Sequence, residues 1–270
     1  MSRGKVVVER RGPVAIITLD RPAKKNALDE GLWSGLREAA AELATDLPRA
    51  VILTGAPPAF CAGMDVSPEN PQMAGLADAA QSHDPAPMRA LLARLRPSFD
   101  DLVGLPVPVI AAINGLAYGG GAEVAVRCDL RVMAADATIC FSEVRLGLMP
   151  DLGGGVALTR LVGPGIAADL ILTAREVGAE EALRLGVVNR IAAPGATLDE
   201  ALALAESIAK NGPRAVRASV DVIRRTPDLD EEAALALERD RAADLMASGE
   251  CIYGVTALMT RSRPEFPDAS

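Results

Sequence analysis

Two glutamates, Glu123 and Glu143, each lie close to an apolar run of β type, and the first follows three consecutive glycines. Residues 114–123 read Asn-Gly-Leu-Ala-Tyr-Gly-Gly-Gly-Ala-Glu, between an apolar run at 107–113 and a helix-like one at 123–128. Glycines let a backbone turn sharply and approach a ligand closely, because no Cβ intervenes. At a helix start they leave free N–H groups pointing outward, with the positive end of the helix dipole behind them. Glu123 then falls about one helical turn in, and Glu143 follows a second run at 138–141. Backbone donors for an oxyanion beside two carboxylates make an acid/base site. Taken singly, each feature also has an ordinary reading: glycines at a strand-to-helix corner serve the turn, and a lone glutamate is most often solvated.

A second loop of the same kind is Ala59-Phe60-Cys61-Ala62-Gly63-Met64-Asp65, after an apolar run at 50–54. In open α/β sheets ligands bind beyond the carboxyl ends of strands. Two such loops offering one N–H each to a single oxygen have the geometry of an oxyanion hole; by itself the second loop reads equally as a turn.

Composition narrows the chemistry. The net charge of −8 in 270 residues argues against nucleic acid as a partner, since phosphate contacts need clustered Lys and Arg. Cys61, Cys128, Cys140 and Cys251 form no C-x-x-C pair, and with one histidine no common zinc spacing can be built. No metal is expected, and a reducing, cytoplasmic setting fits best. His83 lies in a Pro-, Ala- and Asp-rich segment at 70–87 that reads as an exposed loop. Ser-His or Cys-His catalysis therefore has little support, and carboxylates are left to move protons. The first twenty residues carry charges throughout, unlike a signal peptide. The longest apolar stretch, 105–117, is too short and too broken by proline for a membrane span.

The elements that must position these residues alternate β and α. Runs at 6–10 and 14–19, joined by Arg11-Gly12-Pro13, predict a hairpin. Residues 28–44 predict a helix with Leu32, Leu36, Ala39, Ala40 and Leu43 on one face and Asp29 near its start. A strand at 50–54, a mobile, poorly patterned insertion at 68–87 and a helix at 88–103 follow. Strands at 107–113, 130–134, 138–141 and 187–191 complete an α/β pattern with parallel strands. Helices are expected at 153–161, 198–210, 213–225, 230–247 and 250–261. The domain expectation is a core over 1–195 carrying the site and a helical region over 196–270. The last helices hold more apolar positions than a lone surface layer needs, Leu235, Leu237, Leu245, Ile252, Leu258 and Met259 among them, which predicts a trimer or hexamer.

Taken together, four segments resemble the enoyl-CoA hydratase/isomerase (crotonase) family. They are Arg21-Pro22-x-x-x-Asn26-Ala27-Leu28, the loop 60–65, Ala112-Ile113-Asn114-Gly115-x-Ala117-x-Gly119-Gly120-Gly121-Ala122-Glu123, and Ser142-Glu143-x-x-Leu146-Gly147-Leu148-x-Pro150. Residues 182–189 and 263–266 are similar to family segments as well. The resemblance implies a crotonase-like spiral of ββα turns with a C-terminal helical trimerisation region. It implies an acyl-CoA thioester as substrate, with coenzyme A part of the substrate and no separate cofactor. Met64 and Gly120 would supply the oxyanion N–H groups. Ala62 and Asp65 would lie near the adenine, and Lys24 and Ala27 would contact CoA, with Lys25 either a further phosphate contact or a solvated charge. Glu123 and Glu143 would hold one water and add it across the 2,3 double bond.

Asp151 leaves the reaction open. Many hydratases of the family carry glycine there, whereas dienoyl-CoA isomerases carry aspartate. Yet those isomerases usually have Asp at the position of Glu123. Asp151 reads either as a proton shuttle for a double-bond isomerase or as a cap on the helix at 153–161. A non-catalytic acyl-CoA-binding or scaffold protein is the reading from another class. The segment 68–87 with Leu91, Leu95 and Phe99 is expected to shape the acyl pocket.

Overall fold

The structure, a computed structural model, describes residues 3–268. The chain opens with β1 (Lys5–Arg11) and β2 (Val14–Asp20), paired antiparallel in the expected hairpin, then α1 (Glu30–Thr45) and β3 (Ala50–Gly55). Next come α2 (Pro71–Ser82), α3 (Ala86–Leu95), α4 (Pro97–Val103), β4 (Val109–Ile113), β5 (Ala117–Tyr118) and α5 (Gly120–Arg127). They are followed by β6 (Leu130–Ala134), β7 (Thr138–Cys140), α6 (Gly154–Thr173), β8 (Val177–Gly178), α7 (Ala179–Arg184) and β9 (Arg190–Ala192). Four helices close the chain: α8 (Thr197–Ala209), α9 (Pro213–Arg225), α10 (Glu231–Ala247) and α11 (Cys251–Thr260).

Two sheets run through the spiral. A six-stranded sheet has the order β1-β2-β3-β4-β6-β9, parallel from β2 onward, and a three-stranded sheet has the order β5-β7-β8. Successive turns thus lay one strand in the large sheet and a shorter one in the small sheet. The parallel strands β2, β3 and β4 are buried on both faces, as parallel strands require, while the antiparallel edge strand β1 is largely exposed. Ala15, Ile17, Val51, Leu53, Val109 and Ala111 face the main core with Trp33 and Phe99. Their alternates Val14, Ile16, Ile52, Ile110 and Val132 pack beneath Ala201, Leu204 and Ala205 of α8. The expected boundary near 196 therefore falls before a helix that covers the core sheet.

Three local expectations change. Residues 68–87 are not a patternless loop: Asn70 caps α2 by accepting from Gln72 N–H, and Pro71 takes the first helical position, where a missing N–H costs nothing. The pattern was weak because α2 buries only a few side chains, Gln72 and Ala79 among them. The helix expected at 88–103 is two helices, because Pro97 has no N–H with which to continue the ladder. Of the expected pocket residues, Leu95 and Phe99 are wholly within the core, the Phe99 ring tilted against Trp33 at 5.2 Å, whereas Leu91 lines a cavity of about 270 Å³ together with Asn70, Pro71, Gln72, Gly75 and Pro87 of the 68–87 segment. Among the described residues α6 alone is long and apolar enough to cross a membrane, a segment the apolar-stretch reading passed over. Gly163 departs from helical geometry inside α6, ahead of Pro164, and Leu158, Ala167 and Leu170 are buried in the core.

Candidate active site

The two glycine loops meet because the small sheet holds them side by side. Cys61 bridges Ala117 of β5, Phe60 and Cys61 N–H donate to the Leu116 carbonyl (both 3.1 Å), and Tyr118 N–H donates to Cys61 O (2.9 Å). Gly119 has φ 51° and ψ −125°, a left-handed conformation that glycine adopts without strain, and it turns β5 directly into α5. Gly120 is the first residue of α5, where an amide has no intrahelical acceptor. Met64 bridges Leu28: Leu28 N–H donates to Gly63 O (2.8 Å) and Asp65 N–H to Leu28 O (3.1 Å). That ladder uses the residues on either side of Met64, so the Met64 N–H points to the opposite edge. A Cβ built on Gly63 would stand 3.2 Å from Gly120 N, so the residue that precedes Met64 lies against the start of α5. The expected pair is brought together.

Asn26 locks the first of these loops. Its Nδ2 donates to Ala59 O (2.7 Å) and Ala56 O (2.8 Å), while its Oδ1 accepts from Arg21 N–H (2.9 Å). Asp65 is buried in an ion pair with Arg21 (2.6 Å) and accepts from Ser67 N–H (3.0 Å). Burial alone would raise its carboxyl, but the bonds from Ser67 and Arg21 outweigh it and hold the group at about 2. The side chain of Asp65 is thus committed to the loop itself. Lys24 is half-buried at the end of a 3₁₀ turn, Lys25 is exposed, Ala27 is buried with its carbonyl accepting from Arg21 (3.0 Å), and Ala62 is half-buried with its N–H donating to Lys25 O (3.0 Å). The Ala62–Lys25 bond thus ties the 24–27 turn to the loop that carries Met64.

Glu123 and Glu143 are both buried, at 1% and 9% exposure, but they are held differently. Glu123 Oε2 accepts from Leu152 N–H and Gly154 N–H, each at 2.9 Å, the second being the first amide of α6. A Cβ at Gly154 would collide with the Glu123 side chain, so α6 reaches the carboxylate only through glycine. Neither carboxyl oxygen of Glu143 has a hydrogen-bond partner, and the group lies against Gly119. Burial pushes Glu123 up to about 7, with the charges of Glu143 and Asp151 adding to it and the two N–H bonds opposing. Burial likewise raises Glu143, opposed by its own backbone N–H and by the neighbouring Glu123 carboxyl, with Asp151 adding a smaller rise. Asp151 is exposed on the loop ahead of α6, its carboxyl raised by the protein crowding it. The amide end of α6 carries no side-chain cap, so the capping role expected of Asp151 is absent: the carboxylate at that end is Glu123.

Other candidates fall away. His83 ends α2 in a left-handed conformation, exposed, with its nearest polar contact the Gln81 carbonyl. Cys61 and Cys128 are pushed up to about 12 by burial and are not thiolates. Among the described residues no cluster of three His, Cys, Asp or Glu side chains is spaced for a metal. Sequence reasoning missed the Leu152 and Gly154 amides and the latch role of Asn26. The Gly153-Gly154-Gly155 run was the signal for the former.

Comparisons with known proteins point one way. The family model described as Enoyl-CoA hydratase/isomerase matches residues 9–269. A short-chain-enoyl-CoA hydratase of Clostridium acetobutylicum is 35% identical over 267 residues, 98% of each chain. A 2,3-dehydroadipyl-CoA hydratase of Escherichia coli is 34% identical over 263 residues, 97% of this chain and 98% of the other. Among solved structures, an enoyl-CoA hydratase from Bacillus anthracis superposes with a TM-score of 0.87 at 30% identity, covering 97% of this chain and 98% of its own. One from Polaromonas sp. JS666 gives 0.88 at 28% identity, covering 98% and 100%.

Proposed function

The chain belongs to the enoyl-CoA hydratase/isomerase family, and from that membership we propose that it is an enoyl-CoA hydratase adding water across the 2,3 double bond of a 2-enoyl-CoA thioester. The observation that carries the assignment of roles is the unequal treatment of the two buried glutamates. N–H donors favour the ionised form of a carboxyl, and a dry site without partners favours the neutral one. We assign Glu123, whose Oε2 is fixed in place by two backbone N–H bonds although burial still lifts it to about 7, as the base, and Glu143, which has no such fixed donors, as the acid. Glu123 takes a proton from water as its oxygen bonds to C3. The C2–C3 π electrons move onto the thioester, whose oxygen rests on the Met64 and Gly120 N–H groups, and Glu143 returns a proton to C2. Each pre-aimed donor in such a hole contributes on the order of 3 kcal/mol. Lys24, Ala27 and Ala62 would contact the CoA portion, and Asp65, its side chain paired with Arg21, would lie near the adenine, with no further cofactor and no metal in the reaction.

Asp151 supports a second reading as a double-bond isomerase, since a third carboxyl with a raised pKa stands close enough to perturb both glutamates. The protein works as a homotrimer or homohexamer through α9–α11, which expose apolar side chains among their charges, Leu258 (79%) and Met259 (80%) the most. Its four free cysteines favour a cytoplasmic enzyme, and the acidic balance leaves no role for nucleic acid or a membrane surface. The direct test is loss of conjugated thioester absorbance when the enzyme is mixed with crotonyl-CoA. Absence of turnover on crotonyl-CoA and on longer 2-enoyl-CoA esters would refute the hydratase reading.

A further inference from the structure

Glu123 is aimed by a turn that is itself held from behind. Leu152 N–H and Gly154 N–H both point at Glu123 Oε2, and on the opposite side of the same turn the Leu152 carbonyl accepts from Arg127 Nη1 at 2.7 Å. The peptide planes on either side of Leu152 are thus fixed by one carboxylate in front and one guanidinium behind. Gly153 has φ 95°, and a Cβ there would stand 3.2 Å from Arg127 Nε, so the turn lies directly on the guanidinium plane. Arg127 is itself anchored, its other terminal nitrogen pairing with Asp100 of α4, and its side chain is only 13% exposed. Asp100 is shared with Arg96 at 3.1 Å. Arg127 lies one helical turn beyond Glu123 on α5, so base and brace are rigidly spaced by the helix that carries both.

We propose that Arg127 is a positioning residue for Glu123: anchored on Asp100, it holds the Leu152 carbonyl so that the Leu152 and Gly154 N–H groups stay on the carboxylate. It touches neither substrate nor water, and acts only through the turn. The groups facing Glu123 are Glu143 from the turn after β7 and Asp151 from the loop ahead of α6, both carboxyls that disfavour its ionised form. The two N–H bonds are what oppose them, and both depend on the braced turn. Removing the brace lets the turn relax, weakens those bonds and raises the Glu123 carboxyl further. A base that must be ionised then loses activity from the acidic side. The proposal rests on Glu123 acting as the base in hydration, and its test also reads Glu123 without substrate.

The test compares wild type, Arg127→Met, Arg127→Lys and Asp100→Asn as full chains. The Glu123 carboxyl is followed by carbon-13 NMR titration, its signal assigned by its loss in Glu123→Gln. In Arg127→Met it should titrate about one unit higher, and the acidic limb of kcat/KM should move by the same amount. At neutral pH kcat should fall about tenfold with KM within about twofold. Arg127→Lys should fall between, because one ammonium cannot reproduce a fork that serves a carbonyl and a carboxylate at once. Asp100→Asn should shift Glu123 in the same direction by less, and it stands in where Arg127→Met does not fold. A folded variant with an unmoved Glu123 titration overturns the proposal, and so does activity lost only in proportion to folded protein. A wild type inactive on every 2-enoyl-CoA ends the hydratase reading instead, leaving the NMR comparison to decide on Arg127.

Discussion

At its site the chain buries charge; from α9 onward it exposes apolar surface. Glu123 and Glu143 are almost sealed from solvent, whereas Ile252, Leu258 and Met259 are 65%, 79% and 80% exposed, and no residue of α10 is buried. Each arrangement inverts the usual one and each costs free energy, by desolvation of a carboxyl in the first case and by roughly 25 cal/mol per Å² of wetted apolar area in the second. The compensation differs. The buried carboxyls are compensated within the chain, by N–H bonds on Glu123 and by a raised proton affinity on both. None of the described residues covers that exposed surface, although α9 is firmly tied to the core through Arg224, which binds Asp129 (2.6 Å) and the carbonyls of Leu105 and Val107. On the proposed function, the inversion compensated internally serves the chemistry and the one left open serves self-association.

The largest effect is expected where the charge is removed. Glu143→Gln keeps the shape of the acid but cannot give up a proton, so kcat for 2-enoyl-CoA hydration should fall about a hundredfold or more with KM little changed. Glu123→Gln should behave similarly. The same Glu143 substitution should raise stability. Its folded carboxyl lies above the unfolded value, so folding is favoured below the unfolded pKa and loses that advantage as pH rises through the folded one. Calorimetry should show Tm up by about 2–4 °C at pH 8 and no gain at pH 4.5. Wild-type turnover in both variants would remove the acid/base assignment, and an unchanged Tm at pH 8 would show that the buried carboxyl carries no cost.

In the other region the substitution works in reverse, adding charge where the surface is apolar. Leu258→Asp with Met259→Asp should convert a trimer or hexamer to monomers in sedimentation at roughly micromolar concentration, while far-ultraviolet circular dichroism of the core is retained. A wild-type monomer under those conditions would mean that the surface serves no self-association.

These two regions were unequally legible in the sequence. The loops around Gly63 and Gly120 stand out because each places glycine just after an apolar run; a turn explains either one alone, and only their combination and the family resemblance pointed to a site, while Asp29 was placed near the start of α1, where its side chain accepts from Leu32 N–H. The strands were read from their runs of β-branched and aliphatic residues, though 187–191 proved to be two buried residues, Val187 and Val188, ahead of the short β9. What could not be read was contact at a distance in sequence. Nothing near Glu123 announces that residues 152–154 will hydrogen-bond to it, and nothing near Asn26 announces the carbonyls of 56 and 59. The α2 helix was lost for a different reason: a helix only partly covered has no apolar stripe to detect, and its Asn-Pro start was the sole signal.

The smallest effect is expected at Asp151, which sits between the two regimes, carboxyl-bearing like the site yet exposed like the tail. Hydration needs one acid and one base on a single water, and Glu143 and Glu123 provide them. A proton moved to a more distant carbon needs a group that reaches further, which is the task a third carboxyl on the rim would perform. If the enzyme hydrates, Asp151→Asn should change hydration of a 2-enoyl-CoA by less than about tenfold. It should also move the acidic limb of kcat/KM to slightly lower pH, because the charge of Asp151 is one of the influences raising Glu123 and its removal makes the base easier to ionise. An isomerase would respond otherwise: Asp151→Asn would abolish conversion of a 3-enoyl- or 3,5-dienoyl-CoA, while Glu123→Gln would be the milder change. Hydration is favoured because Glu123 and Glu143 are differentiated without help from Asp151, one by N–H bonds and the other by their absence. Strong 3,5-dienoyl-CoA isomerisation by the wild type, with no measurable hydration, would transfer the catalytic role to the rim and reduce the glutamate pair to its support.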